Sequence, residues 1–494
     1  MSYQSPMMKR VKGTYGIRRY IPRKGLIRIL LVIIGIIIGI NLFSSFSNKS
    51  KDKTGKTKAE KQKQEKIQKV ESRKKNKERK QPGKSSGEGK VPDVTYALSF
   101  DDVAKLVRQN ADPLASGVDT LREGNRSFYA HYSLDSSLQE LGKRLLKQYH
   151  PKYGAVVAID PTNGRVLSLL SYTNDSVPAI ASDLYCKNIF PAASVFKTVT
   201  AATAIEKAGY SSESIVRHVG KKSTLYKYQL TKEIANFSEL PFGDAYAHSI
   251  NAVFARIALF VLGETAIIET GNKLGFNTDI PFELPCEKSI LISTDTVFNL
   301  AELASGFNEH TRISALHGAM IAGTICENGT MYKPFVVDSV SSVDNSVLYR
   351  NVKSEWRTPL KEGTSRELRE MMRAVARKGT ARKSFNLIRK TSAFDTLEYG
   401  GKTGSVDKDT TGRVDWFIGF VRNPGNPKER MAIGVVTVHG ANWTVHSSYI
   451  AAEYFRNYIG QIRKKEKIRS DSLKTVLANK PESGLEMHAE NYRK

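Results

Sequence analysis

The chain has few of the residues that bind metals or cross-link distant loops. It contains three cysteines and nine histidines among 494 residues. Cys186, Cys286 and Cys326 are far apart and lack the spacing of a metal site. At most one disulfide is possible, and the favoured interpretation of all three is a small buried apolar residue. We therefore predict no metal and no cofactor, and cysteine usage leaves the redox compartment open.

Acidic residues are also scarce, with 49 Asp and Glu against 76 Lys and Arg, for a net charge of +27. Such an excess is typical of nucleic-acid binding, but it is concentrated before residue 91. Residues 1–48 contain eight basic residues and no acidic one, and residues 49–90 contain seventeen and six. The sequence shows no zinc-finger spacing, no RNP-like run and no Walker loop. We predict no nucleic-acid partner.

One long apolar run, Leu26–Phe43, is about the length needed to cross a bilayer. A cleaved signal peptide is the alternative, but no small-residue cleavage site follows the run. We predict a transmembrane signal anchor at 26–46, preceded by a basic N-terminus at 1–25. Basic residues lie on both sides, so the positive-inside rule does not decide the orientation. A cytoplasmic N-terminus is inferred from the function suggested below.

Two segments separate this anchor from the main domain. Residues 47–92 are rich in Lys, Gln, Glu, Ser and Gly and cannot form a core. They form either a solvated single helix or a disordered chain, and in both cases a charged spacer. Residues 93–150 are a linking segment with amphipathic helices predicted at Phe100–Asn110 and Ser136–His150.

Residues 151–461 are predicted to form one α+β domain, and 462–494 a charged, aperiodic C-terminal tail. The domain begins and ends with strand patterns, and helical patterns lie between them. We therefore expect a mostly antiparallel β-sheet flanked by helices, with an all-helical insertion. Predicted strands lie at 154–160, 166–172, 399–406, 416–422 and 431–438, and a short strand region at about 332–350. Helical patterns dominate from about 245 to 328, and further helices are predicted at 364–377 and about 447–458.

The first chemical motif is Ser194-Val-Phe-Lys197, which leads into a helical pattern ending at Gly209. Ser194 is predicted at the helix N-terminus, with Lys197 one turn further on the same face. A serine nucleophile needs a base within hydrogen-bond reach, and a lysine with a lowered pKa can be that base. The motif alone is weak, because Ser50 and Lys53 show the same spacing in a charged run.

Two further motifs follow, Ser249-Ile-Asn251 and Lys402-Thr403-Gly404-Ser405. Paired glycines before Lys402 allow close backbone approach on a strand. Each motif alone carries little weight, since Ser249 and Asn251 suit any polar helix surface and Lys-Thr-Gly suits an edge turn. The order of the three motifs, each in a suitable local setting, is a much stronger signal.

On these motifs, the chain resembles the transpeptidase domain of penicillin-binding proteins, the serine acyltransferases that cross-link bacterial peptidoglycan. The phrases Tyr132–Gln139, Gly154–Leu167 and Trp416–Phe420 add to the resemblance, which covers about residues 130–460. We find no glycosyltransferase region or pedestal domain. The resemblance implies a β-lactamase/transpeptidase-like fold in a monofunctional protein of the bacterial cytoplasmic membrane. Its single-pass anchor would place the catalytic domain outside the cytoplasm.

The resemblance also implies roles for the residues of the first two motifs. Ser194 attacks the penultimate D-Ala carbonyl of a stem pentapeptide and releases the terminal D-Ala. Lys197 takes the serine proton, and Ser249 relays a proton towards the leaving amine. Asn251 orders Lys197 and the substrate amide.

For the third motif, the resemblance implies substrate binding. Lys402 supplies positive potential, lowers the pKa of the base and attracts the substrate carboxylate. Thr403 and Ser405 hydrogen-bond that carboxylate, and Gly404 allows the strand to approach. The backbone N–H groups of Ser194 and Ser405 form the oxyanion hole. Ser405 stands where many members of the family have threonine.

Other functions remain open at this stage. A D,D-carboxypeptidase differs only in using water as the second nucleophile, and a serine β-lactamase needs a deacylating base that the sequence does not place. A non-enzymatic β-lactam sensor or cell-wall scaffold is a further alternative. Expected partners are stem peptides, β-lactam antibiotics, the membrane, and a glycan polymerase or division and elongation proteins. We assign Trp416 and Phe417 to the core, and His439 and His446 to no role.

Overall fold

The computed structural model describes residues 97–110, 117–408 and 412–478. The predicted N-terminus, membrane anchor and spacer lie outside these ranges. The helices are α1 (Phe100–Asn110), α2 (Ser136–Tyr149), α3 (Lys197–Ala208), α4 (Phe242–Ala247), α5 (Asn251–Ile257), α6 (Gly263–Lys273), α7 (Val297–Ser305), α8 (Ala315–Cys326), α9 (Glu362–Arg377), α10 (Asn386–Arg389) and α11 (Ser447–Ala478). The strands are β1 (Val118–Glu123), β2 (Arg126–Tyr132), β3 (Tyr153–Ile159), β4 (Val166–Thr173), β5 (Ile215–His218), β6 (Ser238–Pro241), β7 (Met331–Tyr332), β8 (Val337–Ser342), β9 (Val347–Arg350), β10 (Glu355–Arg357), β11 (Glu398–Lys408), β12 (Gly412–Asn423) and β13 (Asn426–His439).

The main sheet is antiparallel and has five strands in the order β11-β12-β13-β3-β4. It joins the strands predicted at the two ends of the domain, and β3 pairs directly with β13. Every residue of β3 is buried, as is most of β13, which explains why both read as nearly continuous apolar runs. The predicted antiparallel sheet with helices between its strands is confirmed.

Helices cover both faces of this sheet. On one face lies α8, in which every residue is buried. It packs closely through glycines, since a Cβ on Gly434 would lie 2.1 Å from the carbonyl oxygen of Ala315. On the opposite face, Phe417 contacts Phe385, which in turn contacts Phe455 of α11. The prediction that Trp416 and Phe417 belong to the core is confirmed, because both are fully buried.

A second sheet has the order β1-β2-β8-β9, and its first two strands come from the linking segment predicted at 93–150. Both predicted helices of that segment are present as α1 and α2, and Asp135 caps α2 by accepting from the backbone N–H of Leu138. The sequence analysis missed β1 and β2. In β1 only Leu121 is buried, whereas β2 alternates, with Phe128, Ala130 and Tyr132 buried, so a period-two signal was present in β2 and was overlooked.

The structure corrects two expectations. Helix α11 was predicted to end at about residue 458 but runs to Ala478, so the first part of the predicted aperiodic tail is helical. Residues 461–478 contain no Gly or Pro to end a helix. Cys186 and Cys286 form a disulfide with Cα atoms 4.7 Å apart, whereas Cys326 is a buried free thiol. The apolar interpretation was therefore wrong for two of the three cysteines, because sequence does not show proximity across 100 residues.

Helices α5 and α6 are joined by a π-helical turn, Ala258–Leu262, into one continuous stretch. Among the described residues, this stretch has the length and apolar composition that a membrane span would need. It is partly buried against the domain, where α5 contacts α7 and α6 contacts α3, while Phe260 and Val261 are exposed. The stretch therefore belongs to the helical core beside the candidate site.

Candidate active site

Ser194 lies in a short 3-10 turn, Ala193–Phe196, that leads directly into α3. Two contacts hold this turn in place. The indole N–H of Trp416 donates to the carbonyl oxygen of Pro191 at 2.8 Å. The backbone at Gly306 approaches so closely that a Cβ there would lie 2.0 Å from the Ala193 carbonyl oxygen. Ala193 itself has a φ of 48°, a conformation that costs energy without glycine and so indicates a turn constrained from outside.

The amine of Lys197 is surrounded by three oxygen atoms. Its Nζ lies 2.7 Å from Ser194 Oγ, 2.7 Å from Asn251 Oδ1 and 2.5 Å from the carbonyl oxygen of Ser305. Asn251 Oδ1 and the Ser305 carbonyl only accept hydrogen bonds, whereas the serine hydroxyl can also donate. A neutral amine therefore donates its two N–H groups to the amide and the carbonyl, which leaves its lone pair facing the serine hydroxyl.

The environment of Lys197 favours this neutral form. Burial, the largest effect, and the positive charge of Lys402 both hold the pKa of Lys197 well below its ordinary value of 10.5. The side chain is fully buried, and no carboxylate approaches its Nζ within salt-bridge distance among the described residues. Since the neutral form is the one that can accept a proton, the site holds a base beside a potential nucleophile.

Ser249 and Asn251 lie at the junction between α4 and α5. Ser249 has a φ of 56°, which turns the chain sharply between the two helices, and Asn251 is the first residue of α5. The amide nitrogen of Asn251 donates to the carbonyl oxygen of Ser223 at 2.9 Å. This bond fixes the orientation of the amide, so that its oxygen faces Lys197.

Lys402 comes from β11, at the edge of the main sheet, and its side chain is fully buried. Its Nζ donates to Ser249 Oγ at 3.0 Å and to the carbonyl oxygen of Thr403 at 2.9 Å. Burial lowers its pKa to about 7. The ring of Tyr246 lies 5.4 Å from the amine, a cation–π distance that favours the protonated form.

The residues after Lys402 bring β11 against the Ala193–Phe196 turn. A Cβ on Gly404 would lie 3.2 Å from the backbone nitrogen of Ser194, so glycine permits this approach. The hydroxyl of Thr403 is hydrogen-bonded to that of Thr380 at 2.5 Å, and Ser405 is exposed. Behind the strand, Gly400 leaves room for the backbone of α9, as predicted for the paired glycines.

All eight predicted residues meet around one cleft of about 380 Å³. Lys197 and Lys402 lie beneath its floor, and the other predicted residues lie within its lining or next to it. The sequence analysis missed several residues of the cleft, including the carbonyl group of Ser305 behind it. It also gave His446 no role, although His446 lines the cleft. The missed lining residues are Lys222, Ser223, His248, Gly306, Phe307, Thr380, Asp415, Trp443 and Ser448.

These missed residues had no usable sequence signal. The acceptor from Ser305 is a backbone atom, and the register of β11 with β12 brings Asp415 to the cleft by pairing it with Ser405. In the described parts of the chain, no group of three or more His, Cys, Asp or Glu side chains is arranged to hold a metal ion.

Comparison with known proteins agrees with this geometry. Residues 154–460 match the penicillin binding protein transpeptidase domain. The chain is 22% identical over 401 residues to the peptidoglycan D,D-transpeptidase PbpA of Mycobacterium tuberculosis, covering 70% of this chain and 76% of the relative. The D,D-transpeptidase domain of a peptidoglycan glycosyltransferase from Eggerthella lenta has the same fold, with a TM-score of 0.56 and 20% identity over 68% of this chain and 83% of that one.

A second solved structure is penicillin-binding protein A of M. tuberculosis in a ceftriaxone acyl-enzyme complex. It superimposes with a TM-score of 0.55 at 20% identity, over 67% of this chain and 79% of that one. The matched domain includes the Ala193–Phe196 turn, the Ser249–Asn251 junction and β11. This chain belongs to the family of penicillin-binding protein transpeptidase domains.

Proposed function

We propose that the protein is a peptidoglycan D,D-transpeptidase that acts through an acyl-Ser194 intermediate and is inhibited by β-lactams. The observation that carries this proposal is the position of Lys197. Its amine is buried, favoured in the neutral form and 2.7 Å from Ser194 Oγ. Family membership and the acyl-enzyme complexes of a relative with the same fold support the same function.

In the proposed acylation step, Ser194 Oγ attacks the carbonyl carbon of the penultimate D-Ala while Lys197 takes its proton. The backbone N–H groups of Ser194 and Ser405 stabilise the oxyanion that develops. The C–N bond to the terminal D-Ala then breaks. Ser249 is hydrogen-bonded to Lys402 and is positioned to pass a proton to the leaving amine.

Lys402 acts in this proposal through its charge. Thr403 and Ser405 offer hydroxyl groups to the terminal carboxylate of the substrate. Because burial lowers the pKa of Lys402 to about 7, an incoming carboxylate favours the protonated lysine and strengthens its own binding. The same positive charge opposes protonation of Lys197 and so keeps the base ready.

The second half of the reaction transfers the acyl group to an amine of a neighbouring stem peptide. That amine loses a proton to the regenerated base, attacks the ester carbonyl and restores the hydroxyl of Ser194. A carboxypeptidase would use water here. Among the described residues that line the cleft there is no glutamate to activate water for rapid hydrolysis, which disfavours a β-lactamase.

The N-terminal sequence extends this proposal beyond the described residues. We infer that residues 26–46 anchor the protein in the cytoplasmic membrane and that residues 47–92 separate the catalytic domain from the bilayer. A domain held in this way outside the cytoplasm would meet nascent peptidoglycan. It would then act beside a glycan polymerase or the proteins of division or elongation.

Labelling with a fluorescent penicillin tests the proposal. Wild-type protein should form a stable covalent adduct, and the Ser194→Ala variant should form none. Incubation with stem pentapeptides should then give cross-linked dimers as well as free D-Ala, as measured by mass spectrometry. Folded wild-type protein without an adduct would refute the acyl-serine chemistry, and D-Ala release without dimers would assign the protein as a carboxypeptidase.

A further inference from the structure

Asp415 is a buried carboxylate in the active-site cleft that the proposed mechanism does not use. Its residue is 4% exposed, and it lines the cleft together with Ser405, Trp443 and His446. It faces Ser405 directly in the ladder between β11 and β12. The Cβ atoms of such a pair lie ~4.5–5.5 Å apart. The carboxylate is therefore about one side-chain length from the hydroxyl proposed to bind substrate.

The hydrogen bonds of this carboxylate are incomplete. Oδ2 accepts the backbone N–H of Ser447 at 2.7 Å. Nδ1 of His446 lies 3.8 Å from the same oxygen, which is too far for a hydrogen bond. No described residue donates to Oδ1. An ionised carboxylate can accept about four hydrogen bonds. Oδ1 is not among the enclosed atoms that lack a partner, so it is accessible and can accept hydrogen bonds from further donors on a ligand in the cleft.

Neighbouring cations do not supply those donors. Arg413 forms an ion pair with Asp407 at 2.6 Å and lies over the ring of Trp443, with its Cζ 5.2 Å from the ring centre. Its charge is therefore balanced by a carboxylate outside the cleft. Trp443 and His446 pack against each other with ring centres 4.5 Å apart and wall the space beside Asp415.

The positively and negatively charged side chains of the cleft lie at different places. Lys402 beneath it and Lys222 on its lining are cationic. Of the described residues on that lining, Asp415 alone carries a carboxyl group. A ligand that complements this arrangement has a carboxylate near Lys402 and a cation near Asp415. A stem peptide has both, because the diamino acid directly before its two D-Ala residues carries a side-chain amine.

We infer that Asp415, walled by Trp443 and His446, is a binding subsite for a primary ammonium, the free side-chain amine of the diamino acid in the acyl-donor peptide. The inference rests on the proposed function, which places the terminal carboxylate of the donor peptide at Thr403 and Ser405 of β11. The diamino acid precedes the acylated D-Ala by one residue, ~3.5 Å along an extended chain. Its long side chain can then cross from Ser405 to Asp415. The subsite selects donors by charge and leaves the chemistry at Ser194 unchanged.

The test uses the full-length protein and three stem pentapeptides that differ at one position. The diamino acid carries a free amine, an acetylated amine or a succinylated amine, so the side chain is cationic, neutral or anionic. Each peptide competes with a fluorescent penicillin for Ser194, and the inhibition constant is measured. A charge-assisted hydrogen bond to Asp415 predicts that the free amine binds roughly tenfold more tightly than the acetylated one. The succinylated peptide should bind most weakly.

Two variants complete the test. Asp415→Asn should remove the differences among the three peptides, whereas Asp407→Asn, which removes a carboxylate outside the cleft, should keep the wild-type order. Thermal melting checks that both variants fold. The comparison of the three peptides on wild-type protein does not depend on the folding of any variant. Equal affinities in wild type, or a wild-type order that persists in Asp415→Asn, would overturn the subsite. If fluorescent penicillin labels the wild-type protein but the three peptides bind equally, the subsite is refuted and the proposed function stands. If folded wild-type protein is not labelled, the proposed function fails.

Discussion

Replacing Gly404 by alanine tests how closely β11 must approach the Ala193–Phe196 turn that carries Ser194. The new Cβ would lie 3.1 Å from the backbone nitrogen of Val195 and 3.2 Å from that of Ser194. Both distances are tighter than an ordinary contact, so the strand and the turn must separate by a few tenths of an ångström. The two N–H groups proposed to hold the oxyanion, on Ser194 and Ser405, would move apart with them.

The size of the effect follows from what such donors contribute. Losing one oxyanion donor outright slows catalysis by ~10²–10³-fold. A partial displacement should therefore slow acylation of Gly404→Ala by ~10–100-fold, which corresponds to ~1.4–2.7 kcal/mol of transition-state stabilisation. The cost to folding should be that of one extra methyl group in a tight contact, ~1–3 kcal/mol.

Stopped-flow acylation with a fluorescent penicillin gives the rate constant, and thermal melting gives the stability. Gly425→Ala is the matched control, because its Cβ would meet only the Asn423 side chain at 3.6 Å, in the turn between β12 and β13. It should leave both quantities unchanged. An unaltered acylation rate in Gly404→Ala would refute the claim that this spacing sets the oxyanion geometry.

Three further predictions follow from the same structure. Lys402→Met removes a positive charge that lowers the pKa of Lys197, so this pKa should rise in the variant. Neutral Lys197 is the proposed base, and the acylation rate is lost as the pH falls through its pKa. The fall of the acylation rate on the acid side should therefore move to higher pH. An unmoved fall would show that burial alone sets this pKa. Cys286→Ser opens the disulfide to Cys186 across 100 residues and should lower the unfolding free energy by ~2–5 kcal/mol in melting experiments, with no further effect of a reductant. Gly434→Ala places a methyl 2.1 Å from a carbonyl oxygen of α8 and should destabilise the fold by ~3 kcal/mol or more, and a melting temperature equal to wild type would contradict this.

The motifs could be predicted because each combines a local signal with a fixed order along the chain. Ser194 and Lys197 are close on any helix, whereas Asn251 and Lys402 join them only in the folded domain. For the last two, sequence reasoning depended on family resemblance. Strands β3 and β13 could also be predicted from their apolar runs, because helices bury both faces of these strands.

The features that could not be predicted depend on distances that sequence does not encode. Asp415 reaches the cleft through strand register, and the acceptor from Ser305 is a carbonyl group that every residue possesses. The link between Cys186 and Cys286 closes a loop of 100 residues. Strand β2 is a different case, because its alternation of Phe128, Ala130 and Tyr132 was present in the sequence and was overlooked.

The pairing of β3 with β13 has a consequence for how the protein is made. Val156 lies opposite Val435, so the centre of the sheet joins residues nearly 280 positions apart. Contacts of such long sequence separation fold slowly, because the intervening chain must be confined before the pairing stabilises it. During synthesis, β3 and β4 leave the ribosome long before β13 exists to cover them. Their apolar edges therefore need protection until β13 emerges, and a nascent chain that ends before β13 should not react with penicillin.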